Sequence, residues 1–261
     1  MKSYHFLKLA MIGLATLSAN TSQASVITHS EAHVSNFQIV SGANDLIWNS
    51  WQNITAAGAF DDLSGFSGAY DDDPGGTGTA TSTAATQLVS TSATASSNTM
   101  KIDFHSDINN PSNDDIAANA LSYGELYNTF QVKGNAPVTA TFSVNWSATL
   151  SSQSSPSQVY YNDYAVQMKV SDGVSEWSKE SFYVLSGSGP LQTYSDVGIF
   201  ILPLTLKPNT LYSIDIIAHP DPYVESVPEP SEFALMATGS LLLPVMIKMR
   251  RKSAVAQSRQ V

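Results

Sequence analysis

Three residues at alternating positions carry side chains that bind metal ions: Asp103, His105 and Asp107. On an extended strand every second side chain projects to the same face, so this spacing brings two carboxylates and an imidazole together. Zinc and other divalent ions accept such ligands. No fourth ligand stands at a telling spacing, which favours the alternative, a solvated polar strand face with Phe104 turned inward.

A second acidic group, Asp71 to Asp73 with Asp61 and Asp62 nearby, could bind calcium through carboxylate oxygens. The alternating acidic pattern with a central glycine, which is typical of a helix-loop-helix calcium site, is missing. The Asp-Asp-Asp-Pro-Gly-Gly composition at 71–76 predicts a plain acidic loop, and no cofactor is expected.

Catalytic motifs are weak. In Gly65-Phe-Ser-Gly68 the second glycine comes one residue too early for a nucleophile elbow. The histidines do not specify a serine triad, and a pair of catalytic carboxylates cannot be recognised without a measured separation. We therefore expect a protein that is not an enzyme. A secreted hydrolase remains an alternative, and it would need a pocket that joins His105 or His219 to carboxylates.

Aromatic residues suggest another alternative, a carbohydrate-binding module whose rings stack on sugars. Trp146 lies on the apolar face of its strand, so we expect it in the core, whereas Tyr160 and Tyr161 follow a Ser/Pro-rich loop and are expected to be exposed. The candidate stacking residues are Trp48, Trp51, Trp146, Trp177, Tyr160, Tyr161 and Tyr164.

The segment that must position these residues, 25–226, reads as β-structure. In Thr139–Leu150 apolar residues recur at every second position, and further runs rich in β-branched and aromatic residues follow to residue 217. Ser171-Asp-Gly173 predicts a turn, and Lys207–Thr210 predicts a tight link that resembles the late hairpin of many surface domains. We predict an all-β fold, an antiparallel β-sandwich that is jelly-roll-like.

Residues 77–99 leave two possibilities open, because 13 of these 23 residues are Ser or Thr and none is charged. Such a tract can be a flexible linker, or it can be a pair of strands with polar faces, since threonine favours strands. If the tract is structured, the segment 25–226 is one domain, and we favour that organisation.

The charge distribution excludes one class of partner. Residues 25–230 hold 21 of the 22 acidic residues and only 5 of the 12 basic ones, a formal net charge of −16. A surface this acidic repels phosphate backbones, so we expect no nucleic-acid partner. The chain has no cysteine, so packing must stabilise it without disulfides.

The N-terminus, residues 1–24, has the pattern of a secretory signal peptide. Lys2 and Lys8 provide positive charge, and a short apolar stretch, 9–17, follows. Small residues end the segment, which predicts cleavage by signal peptidase between Ala24 and Ser25.

The C-terminus has three parts in a fixed order. A proline-containing motif comes first, an apolar run over 233–247 follows, and a basic cluster closes the segment. The run is at the short end for a transmembrane helix, and the basic cluster would stay in the cytoplasm, which leaves 25–226 outside. The motif consists of Val227, Pro228, Glu229, Pro230 and Ser231, and the cluster of Lys248, Arg250, Arg251 and Lys252.

This arrangement resembles the PEP-CTERM sorting domain of Gram-negative bacteria over roughly the last 30 residues. Two features depart from the family pattern: Pro244 lies within the apolar run, and the tail from Ser253 to Val261 is longer than usual. The resemblance implies cleavage by an exosortase and delivery to the cell surface or the extracellular polysaccharide matrix. It also implies a setting in biofilm formation.

Together these observations predict a signal peptide at 1–24, a β-sandwich domain at 25–226 and a sorting signal at 227–253 with a tail to 261. The expected protein is exported and reaches the cell surface or matrix through an inner-membrane intermediate. Its expected partners are signal peptidase, an exosortase, extracellular polysaccharide and, transiently, the membrane.

Overall fold

A computed structural model describes residues 26–41, 46–75, 78–97, 101–110, 117–154 and 158–226. The predicted signal peptide with its cleavage site, the sorting motif, the apolar run and the basic cluster lie outside these residues. The chain divides into two units, Met1–Ser226 and Val227–Val261, and all described residues belong to the first. Within the described ranges no helix is long and apolar enough to cross a membrane.

The described part of the chain is all-β, as predicted, and contains thirteen strands. They are β1 (Val26–Ser41), β2 (Leu46–Asp61), β3 (Gly65–Asp73), β4 (Thr79–Ala85), β5 (Val89–Ser96), β6 (Lys101–Asn110), β7 (Ala118–Val132), β8 (Val138–Ser154), β9 (Gln158–Ser171), β10 (Glu176–Gly187), β11 (Gln192–Leu206), β12 (Leu211–His219) and β13 (Tyr223–Ser226).

The strands form two antiparallel sheets. Sheet A has six strands in the order β11-β8-β1-β6-β5-β4, and sheet B has seven in the order β10-β9-β12-β7-β2-β3. The short β13 pairs with the same two neighbours as β12, namely β7 and β9. Strands β12 and β13 therefore occupy one position of sheet B and are separated by Pro220-Asp-Pro222. One buried hydrophobic cluster includes residues from both sheets.

Alternation explains why these segments are strands. On β8 the side chains of Phe142, Val144, Trp146, Ala148 and Leu150 are all buried, whereas the residues between them are partly exposed. The period-two pattern therefore predicted both the strand and its inner face. Burial of one face is also what fixes the register, because a slip by one residue would expose the whole apolar set.

The Ser/Thr-rich tract forms strands. It contains the whole of β4 and β5, which pair as a hairpin at the edge of sheet A. Alanines at every second or fourth position, among them Ala80, Ala84, Ala93 and Ala95, are buried. The tract thus has an inner face of small side chains and an outer face of hydroxyls.

Two connections bear on the sequence predictions. Asp172 caps the predicted β9–β10 turn, where its carboxylate accepts hydrogen bonds from the backbone N–H groups of Val174 and Ser175, and Gly173 has φ of +82°. Lys207–Thr210 is a tight link, as expected, but the resemblance to a hairpin is wrong. Strands β11 and β12 lie in different sheets, so the link crosses from one to the other.

Gly198 creates the space for the largest core ring. It lies opposite Trp146 in the β8–β11 register, and a Cβ at Gly198 would come within 2.7 Å of the indole. The ring also lies 5.6 Å from Phe200 on β11 and 6.1 Å from Tyr164 on sheet B, measured between centroids. Trp146 is therefore a core residue that joins the two sheets, as its strand position predicted.

Candidate functional site

The predicted metal ligands Asp103, His105 and Asp107 lie on β6, an interior strand of sheet A. The register pairs them with three residues of β1: Asp103 with His33, His105 with Glu31, and Asp107 with His29. These three β1 residues were not among the metal ligands predicted from the sequence. Their own alternation of histidine and carboxylate was a usable signal, but only the register shows that the two triplets are neighbours.

Glu31 lies between the two β1 histidines. Its Oε1 is 3.4 Å from Nε2 of His29, and its Oε2 is 3.9 Å from Nε2 of His33. All three side chains are partly exposed, by 30–46%. Among the side chains that the structure describes, which exclude those of 101–107, no three histidines and carboxylates gather closely enough to hold a metal ion.

The acidic residues that suggested calcium do not form one group. Asp71 to Asp73 belong to β3, so the predicted loop at this point is wrong, and Asp61 and Asp62 precede the other end of that strand. A nine-residue strand separates these positions by roughly 25 Å. The backbone N–H groups of Thr81 and Gly78 donate to the carboxylates of Asp71 and Asp73 respectively.

Asp61 has a structural role. It is fully buried, and its carboxylate accepts hydrogen bonds from the backbone N–H groups of Leu63, Ser64 and Leu88 at 2.6–3.0 Å. Burial opposes ionisation, but hydrogen bonds from Thr86, Leu88 and Ser64 outweigh it and hold the pKa of Asp61 below its ordinary value. The carboxylate therefore joins the β2–β3 turn to the β4–β5 hairpin.

The predicted stacking residues are mostly internal. Trp48 and Trp51 are partly buried and stack on each other with centroids 5.3 Å apart, and Trp177 is packed against the core. Tyr160 and Tyr164 are fully buried, so the expected exposure of Tyr160 is wrong. Strand β9 already begins at Gln158, and its alternation places Tyr160 on the inner face. Tyr161 is exposed, as expected.

Exposed aromatic residues lie elsewhere, on the outer face of sheet B. A hollow of about 490 Å³ is formed by β2, β3 and β7, and Phe66 and Tyr70 at its rim are 75% and 65% exposed. Gly58 and Gly68 pair across β2 and β3, and the Phe66 ring lies over both. Because a Cβ at Gly68 would come within 2.7 Å of this ring, the glycines allow it to lie flat. We call this surface the aromatic hollow.

A polar cluster occupies the middle of the same face. Lys169 Nζ lies 3.4 Å from Asp215 Oδ2, and the Tyr123 hydroxyl donates a hydrogen bond to Glu125. Burial, together with the charge of Glu125, raises the pKa of Asp215 to about 7, although Lys169 acts in the opposite direction. Burial and the bond to Glu125 raise the pKa of Tyr123 well above its usual value, so its hydroxyl stays a donor.

Next to this cluster a groove of about 240 Å³ is lined by His219, Glu180 and Phe182, among others. It therefore brings one histidine and a carboxylate to a common wall, as a hydrolase would need. The only serine in its lining, Ser181, is hydrogen-bonded to the Tyr164 hydroxyl at 3.1 Å. In the described ranges no hydrogen bond joins His219 to a serine or a carboxylate.

The raised pKa of Asp215 predicts how stability depends on pH. Folding favours the protonated carboxyl, so this contribution is complete below about pH 4 and is lost as the pH rises towards and through 7. Relative to Asp215→Asn, the wild type should lose roughly 1–2 kcal/mol of unfolding free energy between pH 5.5 and pH 8. Urea titrations at the two pH values measure this difference.

Asp172→Asn is the matched control. Hydrogen bonds from Ser175 and Val174 hold the pKa of Asp172 below its ordinary value, outside this pH range. Its substitution should therefore change stability equally at pH 5.5 and pH 8. Parallel pH dependence of the wild type and Asp215→Asn would contradict the assignment.

Comparison of the chain with known protein families and with curated protein sequences finds no match.

Proposed function

We propose that this chain is an exported, non-enzymatic protein of the cell surface or extracellular matrix, and that an exosortase cleaves it at Val227–Ser231. The observation that carries the proposal is the fixed order of proline motif, apolar run and basic cluster at the C-terminus. The signal-peptide pattern at 1–24 supports it independently, because it orients the chain in the same way. The setting in exopolysaccharide and biofilm rests on the family resemblance.

The described domain suits such a role. We infer that the sandwich is a jelly roll in which β1 takes the place of the last strand. If β6 to β12 are taken as the first seven strands of a jelly roll and β1 as the eighth, its two four-stranded sheets have the orders β6-β1-β8-β11 and β7-β12-β9-β10. Both orders occur within sheets A and B. Strands β2 to β5 then extend both sheets at one edge.

Mass spectrometry of the protein released from the producing cells tests the sorting proposal. The expected N-terminus is near Ser25, and residues beyond roughly Ser231 should be absent. Recovery of an intact C-terminus from cells that contain an exosortase would overturn the proposal.

A second candidate function is carbohydrate binding, and the aromatic hollow is the observation that favours it. The apolar face of a sugar ring packs on an exposed aromatic ring, while its hydroxyls bond to polar neighbours. Phe66 and Tyr70 provide such rings on β3, and Asn119 lies in the same lining. The acidic charge of the domain does not oppose a neutral sugar.

Phe66→Ala and Tyr70→Ala should each weaken binding to the polysaccharide of the producing cells by about 2- to 10-fold, the loss expected for one aromatic contact. Affinity gel electrophoresis measures the change. Phe182→Ala, which removes a ring 60% exposed at the opposite edge of sheet B, should leave binding unchanged. No retention of the wild type, or equal losses in all three variants, would exclude this surface.

A further inference from the structure

Histidine and carboxylate residues form a compact group on two adjacent strands of sheet A. We call this group the histidine–carboxylate block, and it comprises His29, Glu31 and His33 on β1 with Asp103, His105 and Asp107 on β6. Each cross-strand pair of the block joins a histidine to a carboxylate residue. Directly opposite residues in an antiparallel pair have Cβ atoms about 4.5–5.5 Å apart, so the register places the two triplets side by side.

The register partners on both sides of the block are uncharged, and one cation, Lys101, lies two residues before Asp103 on β6. On the β5 side the paired residues are Ser90, Ser92 and Thr94, and on the β8 side they are Ser147, Thr149 and Ser151. The block is therefore flanked by hydroxyl residues on both neighbouring strands. Its β1 side chains are 30–46% exposed, which leaves a path for an ion from solvent.

The residue types favour metal binding over a purely ionic network. A network of ion pairs would be served by Lys or Arg, which stay charged at every physiological pH, and β1 and β6 together contain one such residue, Lys101, against six histidine and carboxylate residues in the block. Three of the four histidines that follow residue 25 lie here instead. Imidazole and carboxylate together suit zinc, whereas calcium takes oxygen ligands.

On β1, Glu31 lies between the two histidines and within contact distance of both. The separations of 3.4 Å and 3.9 Å between Glu31 oxygens and imidazole nitrogens are close to the separation of two ligands of one zinc ion. His105 is the register partner of Glu31, so its backbone lies directly opposite the middle residue of the β1 triplet.

We propose that the histidine–carboxylate block binds one divalent transition-metal ion, with Zn²⁺ the best fit, through ligands from both β1 and β6. Such an ion would link β1 to β6, and it would do so whether or not the protein binds polysaccharide. Because the ion would bind the folded chain and not the unfolded chain, the melting temperature should rise with the concentration of the ion.

Isothermal titration calorimetry of the full chain, prepared without a polyhistidine tag, tests the proposal. The wild type should bind one Zn²⁺ per chain, and excess Ca²⁺ should not compete. His105→Ala should raise the Kd at least about tenfold, and Glu31→Gln should weaken binding in the same direction, because each removes a ligand.

His219→Ala is the matched control, since it removes the one histidine after residue 25 that lies on the other sheet. It should leave the Kd and the Zn²⁺-dependent rise in melting temperature unchanged. Circular dichroism checks that each variant is folded. The proposal is overturned if the wild type binds no Zn²⁺ or if His105→Ala binds Zn²⁺ as tightly as the wild type. It is also overturned if His219→Ala raises the Kd as much as His105→Ala does.

Discussion

Replacing Trp146 with alanine should lower the free energy of unfolding by about 3–5 kcal/mol, the range for removing a large aromatic ring from a core. Trp146 is 8% exposed and contacts aromatic rings of both sheets, Phe200 on one and Tyr164 on the other. The space under it is shaped by Gly198, which cannot fill the resulting cavity. Urea denaturation followed by circular dichroism measures the loss.

Val197→Ala provides the matched control on the neighbouring strand. Val197 is 74% exposed on the outer face of β11, next to Gly198, so its truncation should change stability by no more than about 0.5 kcal/mol. If the two variants unfold at similar urea concentrations, Trp146 does not join the sheets in the way the structure indicates.

Simultaneous replacement of Pro228, Glu229 and Pro230 with alanine should leave the protein uncleaved in the inner membrane. Proline disfavours helix, so we expect the motif to present an extended segment to the protease and Glu229 to provide the charge for recognition, and alanine would remove both properties. Cell fractionation with immunoblotting against the folded domain should show full-length protein in the membrane fraction and none released.

The control changes an equal number of residues farther along the chain. Gln257, Ser258 and Arg259, replaced together with alanine, lie in the tail beyond the basic cluster and should not impair release. Release of the motif variant at the wild-type level would mean that the Pro-Glu-Pro step is a hinge without a role in sorting.

The secondary structure was largely predictable because it follows from local patterns. The alternation in Thr139–Leu150 identifies both a strand and its buried face, and Asp172 with Gly173 identifies a turn through the conformations these residues adopt. The Ser/Thr-rich tract was ambiguous for a physical reason. Its inner residues are mainly alanine, serine and threonine, whose small size suits closely spaced sheets but provides little hydrophobic contrast.

The candidate sites depended on contacts between distant parts of the chain. His105 and Glu31 are register partners although 74 positions separate them, and no local pattern specifies which strands pair. The environment of Asp215 also comes from two other strands, through Glu125 on β7 and Lys169 on β9. The exposure of Tyr160 was predicted wrongly because side chains alternate between the inner and outer face of a strand. Which of the two faces a given residue takes depends on how the strand is placed in the sandwich.

The position of the terminal strands has a consequence for the order of folding. Strand β12, continued by β13, is the bridge between β9 and β7, so until it is in place sheet B consists of two separate pieces with open inner edges. Strand β1 holds the equivalent place between β6 and β8 in sheet A. Contacts of such long sequence separation close slowly. A chain that leaves the ribosome or a membrane pore N-terminus first therefore cannot complete sheet B before residue 226 has emerged, which postpones cooperative folding until all thirteen described strands are available.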